Sequence, residues 1–183
     1  MENDKLIEDN ETFLYYEDGL IDSPQIIEKL LQIKSSNNYS TNLSKPWPEN
    51  LIPEGVGEVK IWDVEDTSIL SYLCYRIAEV FPKVRTNNYN FNFQVTEWQE
   101  GAFIPWHCDA PHLCALTCYL ENKTEHGGDF LCRPFEDQSL GMFVEAKVNR
   151  VIFLKGVEHS VTKIHKGTRT TLQIWGEKID ANV

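Results

Sequence analysis

The sequence contains a His-x-Asp pair, His107 and Asp109, in a segment with the character of a β-strand. Residues two apart on a strand face the same side, so these side chains project together. One further histidine would complete a facial set of two histidines and one carboxylate, which leaves three metal positions open and suits non-haem Fe(II) that also takes O₂. The best third ligand is His159, which follows the apolar run 151–154 and precedes a hairpin at 166–167.

A single arginine, Arg169, lies ten residues after His159 on the strand that returns from this hairpin. The period of two places it on one strand face with three further side chains, namely Thr171, Gln173 and Trp175. An arginine that points into a small barrel needs an anion, because burying an unpaired guanidinium costs free energy. One carboxylate of a dicarboxylate cosubstrate would satisfy the planar guanidinium with two parallel hydrogen bonds.

Residues 95–176 resemble the Fe(II)- and 2-oxoglutarate-dependent dioxygenases, and within them the prolyl 4-hydroxylase branch. The motif residues that carry the resemblance are Gly101, His107, Asp109, Gly127-Gly128-Asp129, His159 and Arg169. The resemblance implies a double-stranded β-helix (jelly roll). It also implies that His107, Asp109 and His159 bind Fe(II), with 2-oxoglutarate and O₂ as cosubstrates.

The same resemblance implies roles for residues around the cosubstrate. Arg169 would pair with the distal carboxylate of 2-oxoglutarate. Tyr119 stands where the hypoxia-type prolyl hydroxylases place a tyrosine against that carboxylate, although plain packing is an alternative, and Thr171 is a lesser candidate for the same pocket. Trp98 and Ile104 replace two tyrosines of the family pattern. Neither replacement removes a metal ligand or the arginine, so 2-oxoglutarate use is still expected.

The implied activity is hydroxylation of a prolyl residue in a peptide or protein, with release of succinate and CO₂. Two alternatives stay open: a hydroxylase of a small metabolite or free amino acid, and a jelly-roll module that holds a ligand without turnover. Related demethylases of alkylated nucleic acids carry a second arginine after the first, and residues 170–175 contain none. The carboxylate of Asp109 favours hydroxylation over halogenation, because related halogenases lack it.

The 183 residues fit one domain. We expect residues 1–88 to supply helical support and a long polar loop, 35–57, which is a candidate substrate lid. The alternating strand 89–98 and the short strands after it predict a jelly-roll core over 89–176, so the fold class is mainly β with α.

Local signals predict three elements before residue 89. The Ser-Pro pair at 23–24 begins a helix that runs to about residue 34. A short strand is expected at 58–64. Either Asp66 or Thr67 caps a second helix.

Composition restricts the classes of partner that the protein is expected to bind. The formal charge of −11, from 17 basic and 28 acidic residues, argues against nucleic-acid binding. The five cysteines include no C-x-x-C pair, which argues against a disulfide framework and against a thiolate zinc site. The absence of a signal peptide and of a spanning apolar run predicts a cytoplasmic protein without a membrane partner. The expected partners are therefore 2-oxoglutarate and a peptide, protein or small-molecule substrate, while the oligomeric state is not indicated.

Overall fold

The computed structural model describes residues 12–41, 57–82, 88–110, 113–133 and 141–179, together with the backbone of 4–8. Two helices and eleven strands lie within these ranges. In chain order they are β1 (Asp4–Glu8), β2 (Phe13–Asp18), α1 (Pro24–Ile33), β3 (Val59–Asp63), α2 (Thr67–Val80), β4 (Tyr89–Trp98), β5 (Ile104–His107), β6 (Leu113–Asn122), β7 (Phe130–Arg133), β8 (Met142–Val144), β9 (Arg150–Lys155), β10 (Glu158–Val161) and β11 (Arg169–Lys178).

The strands form two antiparallel sheets. The main sheet has the order β1-β2-β9-β6-β11-β4-β3, and the minor sheet has the order β5-β10-β7-β8. One apolar cluster joins the facing surfaces of the two sheets, and Ile61, Trp98, Ile104, Phe130 and Val161 belong to it. This arrangement confirms the jelly roll expected from the sequence.

A second apolar cluster covers the other face of the main sheet, where the two helices pack. Leu30 of α1 and Leu73 and Ile77 of α2 are buried in it against Val95 and Phe153. The apolar residues of each helix recur at helical spacing and therefore form the one stripe that is buried. The helices thus buttress the main sheet from outside and leave its inner face to the site.

Both helix starts have a local cause. Pro24 occupies the first turn of α1, where its missing N–H leaves no hydrogen bond unmade, while the Ser23 side chain makes no capping bond. For α2 the cap is Asp66 rather than Thr67: its carboxylate accepts hydrogen bonds from the backbone N–H of Ser68 (2.8 Å) and Ile69 (3.2 Å).

The N-terminal part of the chain differs from the sequence expectation. Strands β1 and β2 join the edge of the main sheet, and β2 pairs with β9 along its whole length. The main sheet therefore begins well before residue 89, and residues 1–88 supply more than helical support. Of the expected lid at 35–57, residues 42–56 lie outside the described residues. Ser40 forms an isolated bridge with Ile61.

No helix among the described residues combines the length and the apolar character needed to cross a membrane.

Candidate metal centre

Two histidines meet across neighbouring strands of the minor sheet. His159 of β10 lies directly opposite His107 of β5 in the antiparallel register, and their ring centroids are 4.2 Å apart. Asp109 follows the end of β5, with its side chain beside both rings. One possible ligand atom from each of these three residues lies within 4.8 Å of the others. The structure therefore brings together the three residues that the sequence predicts as metal ligands.

The backbone orients both rings. The Nδ1 atom of His107 lies 2.9 Å from the carbonyl oxygen of Pro105, and that of His159 lies 2.8 Å from the carbonyl oxygen of Val157. A carbonyl oxygen only accepts, so each Nδ1 carries the hydrogen and each Nε2 keeps its lone pair. These Nε2 atoms lie 3.7 and 3.9 Å from the two carboxylate oxygens of Asp109.

The centre is shielded from water. His107 and His159 are each 5% exposed, and Asp109 is 9% exposed. Burial lowers the pKa of His159, and the neighbouring His107 acts in the same direction, so the ring stays in the neutral form that binds metals. Oδ2 of Asp109 has no hydrogen-bond partner among the described residues.

Two imidazole nitrogens and one carboxylate oxygen are the donor set that suits non-haem Fe(II) with open positions. The neutral ring of His159, the two Nε2 atoms beside Asp109 and the carboxylate oxygen without a hydrogen bond all fit a cation at this point. The residues present therefore fit Fe(II).

Arg169 is a buried cation on the facing sheet. It is 2% exposed, and its Nη1 donates a hydrogen bond to the carbonyl oxygen of Gly128. Its Nε atom has no partner, and it forms no ion pair with a carboxylate among the described residues. Burial lowers the pKa of Arg169. Trp98 and Tyr119 place their ring centroids 5.5 and 5.6 Å from the guanidinium carbon, a cation–π arrangement that compensates the charge only partly.

Tyr119 and Thr171 lie next to this arginine but differ in what they offer. Tyr119 is fully buried, and burial raises the pKa of its hydroxyl, which therefore keeps its proton and can donate a hydrogen bond. The Thr171 hydroxyl already accepts from the indole N–H of Trp98 (3.1 Å) and from the amide of Gln173 (3.3 Å). Thr171 thus positions Trp98, the residue that replaces the first tyrosine of the family pattern.

One cleft between the sheets connects the two halves of the site. Its lining residues are Ile104, Ala115, Thr117, Tyr119, Phe130, Leu154, His159, Val161, Arg169, Gln173 and Trp175. His159 and Arg169 therefore face the same space. Thr117 also lines this cleft, and its hydroxyl donates to Gln173 (2.9 Å). No sequence motif marks Thr117, and the signal that places it on the inner face beside Tyr119 is the alternation along β6.

The Gly-Gly-Asp turn has a packing role. Gly127 and Gly128 have φ angles of +82° and +78°, and residues other than glycine rarely adopt such positive values. A Cβ atom at Gly128 would also lie 3.1 Å from the side chain of Ile164. The turn therefore packs closely on the segment after β10 and brings the Gly128 carbonyl to the guanidinium of Arg169.

The fold has known counterparts. A prolyl hydroxylase from Trichoplax adhaerens, solved with a peptide fragment of the hypoxia inducible factor oxygen degradation domain, matches with a TM-score of 0.69 and 15% identity over 90% of this chain and 83% of that one. A prolyl-4-hydroxylase from Pseudomonas putida matches at 0.65 and 14%, over 91% and 92%. The viral collagen prolyl hydroxylase of Paramecium Bursaria Chlorella virus-1, solved with 2-oxoglutarate, matches at 0.63 and 18%, over 91% and 96%.

The chain has the fold of the prolyl hydroxylases. The resemblance inferred from the sequence motifs is thus confirmed for the fold, and the His-Asp-His centre is consistent with Fe(II), 2-oxoglutarate and O₂. The sequence itself matches no family model, and no curated protein is significantly similar to it.

Proposed function

We propose that the protein is an Fe(II)- and 2-oxoglutarate-dependent dioxygenase that hydroxylates a prolyl residue of a peptide or protein and releases succinate and CO₂. One observation carries the oxygenase part: the cleft that receives His159 of the metal centre also receives Arg169, a buried cation without a carboxylate partner among the described residues. A small molecule with a metal-binding end and a distal carboxylate satisfies both, and 2-oxoglutarate is such a molecule.

Different residues of the site would bind the metal, bind the cosubstrate and exclude water. His107, Asp109 and His159 would hold the iron, and the iron supplies oxygen activation when it is bound. Arg169 would bind the distal carboxylate through charge-assisted hydrogen bonds, with the Tyr119 hydroxyl as a further donor. The apolar side chains of Phe130 and Leu154 line the cleft and limit the access of water.

The prolyl part rests on the similarity to prolyl hydroxylases, whose solved examples cover nearly the whole chain. The Trp98 and Ile104 replacements leave the metal centre and Arg169 intact.

The oxygenase part is tested by adding Fe(II) and 2-oxoglutarate under anaerobic conditions. We expect a metal-to-ligand charge-transfer absorbance that Asp109→Ala abolishes. Arg169→Ala should raise the 2-oxoglutarate concentration needed for the band far more than the Fe(II) concentration. Lys166→Ala, which removes an exposed cation from the preceding turn, is the control. The proposal fails if the intact protein gives no band.

The prolyl part is tested by mass spectrometry under turnover conditions. Proline-containing peptides should gain one oxygen in step with succinate formation, and fragmentation should place it on proline. Oxygen gain only on free amino acids or other metabolites would contradict the prolyl assignment.

A further inference from the structure

A row of polar side chains crosses the inner face of the main sheet, from the cleft of the metal centre to the β3 edge. In the antiparallel registers Gln173 of β11 lies opposite Thr117 of β6 and Gln94 of β4, and Gln94 lies opposite Asp63 of β3. Directly opposed residues point to the same side of a sheet. We call Thr117, Gln173, Gln94 and Asp63 the polar row.

Hydrogen bonds orient both amides of this row. The Thr117 hydroxyl donates to Oε1 of Gln173, whose Nε2 donates to Thr171 and keeps a second N–H. Nε2 of Gln94 donates to the carboxylate of Asp63 at 2.8 Å. Because a carboxylate only accepts, this contact assigns the orientation of the Gln94 amide and leaves its Oε1 available. Neighbouring strands thus present one donor, from Gln173, and one acceptor, from Gln94.

The row connects two cavities. Gln173 lines the cleft of the metal centre, whereas Gln94 and Asp63 line a second cavity of about 290 Å³ at the β3 edge. Glu65 and Tyr39 also line that second cavity, and no lysine or arginine does so among the described residues. Lys60 lies 5.5 Å from the ring centroid of Tyr39 and is paired with Glu58.

The spacing favours an extended chain over a small molecule. Two strand spacings separate Gln173 from Asp63, roughly 10 Å at about 4.8 Å per spacing. An extended polypeptide covers this distance with roughly three residues. A free amino acid bound at the metal centre does not reach that far, whereas a peptide can place a further residue in the second cavity.

We propose that the polar row determines substrate specificity: Gln173 and Gln94 bind the main chain of one residue of an extended polypeptide substrate, whose C=O accepts from Gln173 and whose N–H donates to Gln94. A lysine or arginine roughly three residues along that peptide then lies beside Asp63 and Glu65 in the second cavity. This inference rests on the proposed function for its substrate class, a polypeptide. It adds the residues that would select the amino-acid sequence of that polypeptide.

The test uses two matched sets of labelled synthetic peptides, each with one central proline. One set has lysine or arginine two to four residues from the proline, and the other has glutamate there. Fluorescence anisotropy measures their binding to the protein without iron. We expect the basic set to bind at least about tenfold more tightly. Gln94→Leu and Gln173→Leu should each weaken its binding about tenfold, the effect of losing one or two hydrogen bonds. Asp63→Asn should reduce the difference between the sets.

Gln32→Leu is the matched control, because Gln32 is exposed on α1, on the far side of the main sheet. Equal binding of the two sets overturns the inference, and so does basic-set binding that neither Gln94→Leu nor Gln173→Leu weakens. Failure of the proposed function has a separate signature: the intact protein then gives no charge-transfer band, whatever the anisotropy shows.

Discussion

The most discriminating single change is Arg169→Met, which keeps much of the side-chain volume and removes the charge. A buried arginine kept for stability should have a carboxylate partner, because desolvating an unpaired charge costs several kcal/mol. Arg169 forms no ion pair with a carboxylate among the described residues; it contacts the Gly128 carbonyl and two aromatic rings, and the Asp129 carboxylate acts on its charge from beyond ion-pair distance. Its removal should therefore cost the ligand-free protein at most about 1 kcal/mol, although it should strongly weaken binding of the cosubstrate.

The expected change in the free energy of unfolding of Arg169→Met without ligands is the sum of two opposing contributions. Replacing a buried charge by an apolar side chain of similar volume is neutral to stabilising by about 1–4 kcal/mol. Losing the donor to Gly128 offsets about 1 kcal/mol of this gain. We expect a net change between a loss of about 1 kcal/mol and a gain of about 3 kcal/mol, and each kcal/mol shifts the melting temperature by roughly 2–4 °C in a chain of this size.

Cosubstrate binding should change in the opposite direction. At a 2-oxoglutarate concentration of 100 Kd, the unmodified protein gains about 2.7 kcal/mol. Losing charge-assisted hydrogen bonds worth about 1.5–3 kcal/mol weakens binding by roughly 10–150-fold, so at the same concentration Arg169→Met should keep only about 0.3–1.4 kcal/mol of this gain.

The assay is thermal unfolding without ligand, and then with Mn(II), as a redox-inert substitute for Fe(II), and 2-oxoglutarate. A ligand-free variant that melts more than about 5 °C below the unmodified protein would refute the reasoning, because Arg169 would then be structural. An undiminished 2-oxoglutarate shift in the variant would refute it equally.

Three further predictions concern the scaffold. Lys34→Met should destabilise the protein by about 2 kcal/mol in urea unfolding, because the Lys34 ammonium at the end of α1 contacts two glutamates and a threonine of the main sheet. Lys29→Met, which removes an exposed lysine of α1, is the control and should leave the free energy of unfolding unchanged. Asp18→Asn should cost about 1 kcal/mol at pH 7, since Arg150 and Lys147 lower the pKa of Asp18 to about 2 and solvent screens this partly exposed group. That difference is present above the ordinary pKa near 3.8 and should disappear as the pH falls through 2; a constant difference would contradict the assignment. Iodoacetamide at pH 7.5 should modify Cys74 first, because it is the exposed thiol, and peptide mapping that finds a buried cysteine modified first would contradict the packing.

The part of the fold that the sequence predicts is the part with strong local signals. Alternation along Tyr89–Trp98 predicts β4, and the apolar spacing after the Ser-Pro pair predicts α1. The His-x-Asp pair lies together because the period of a strand puts alternate residues on one face. Arginine ten residues beyond a histidine predicts a buried anion site because the intervening hairpin returns the chain to the same cleft.

Local signals do not predict the edge of the main sheet or the polar row. Strand β2 lies in a strongly acidic stretch, and it forms because β9 provides a pairing edge with a cation, Arg150, beside Asp18. The pairing of Gln94 with Asp63 depends on the register between strands that are distant in sequence, which no periodicity contains. Likewise, the sequence pattern places Thr171 near the cosubstrate pocket but does not predict that its hydroxyl accepts a hydrogen bond from the indole N–H of Trp98.

The two sheets hold different parts of the site, and this division explains why both are needed. Both histidines of the metal centre belong to the minor sheet, whereas Arg169 and the polar row belong to the main sheet. Neither sheet alone binds a molecule at both of its ends. A ligand with a metal-binding end and a distal carboxylate would therefore connect two layers whose facing surfaces pack mainly through apolar side chains. Within the proposed function, an arginine that is buried and forms no ion pair with a carboxylate among the described residues is what such a site requires, because its partner would belong to the ligand and not to the chain.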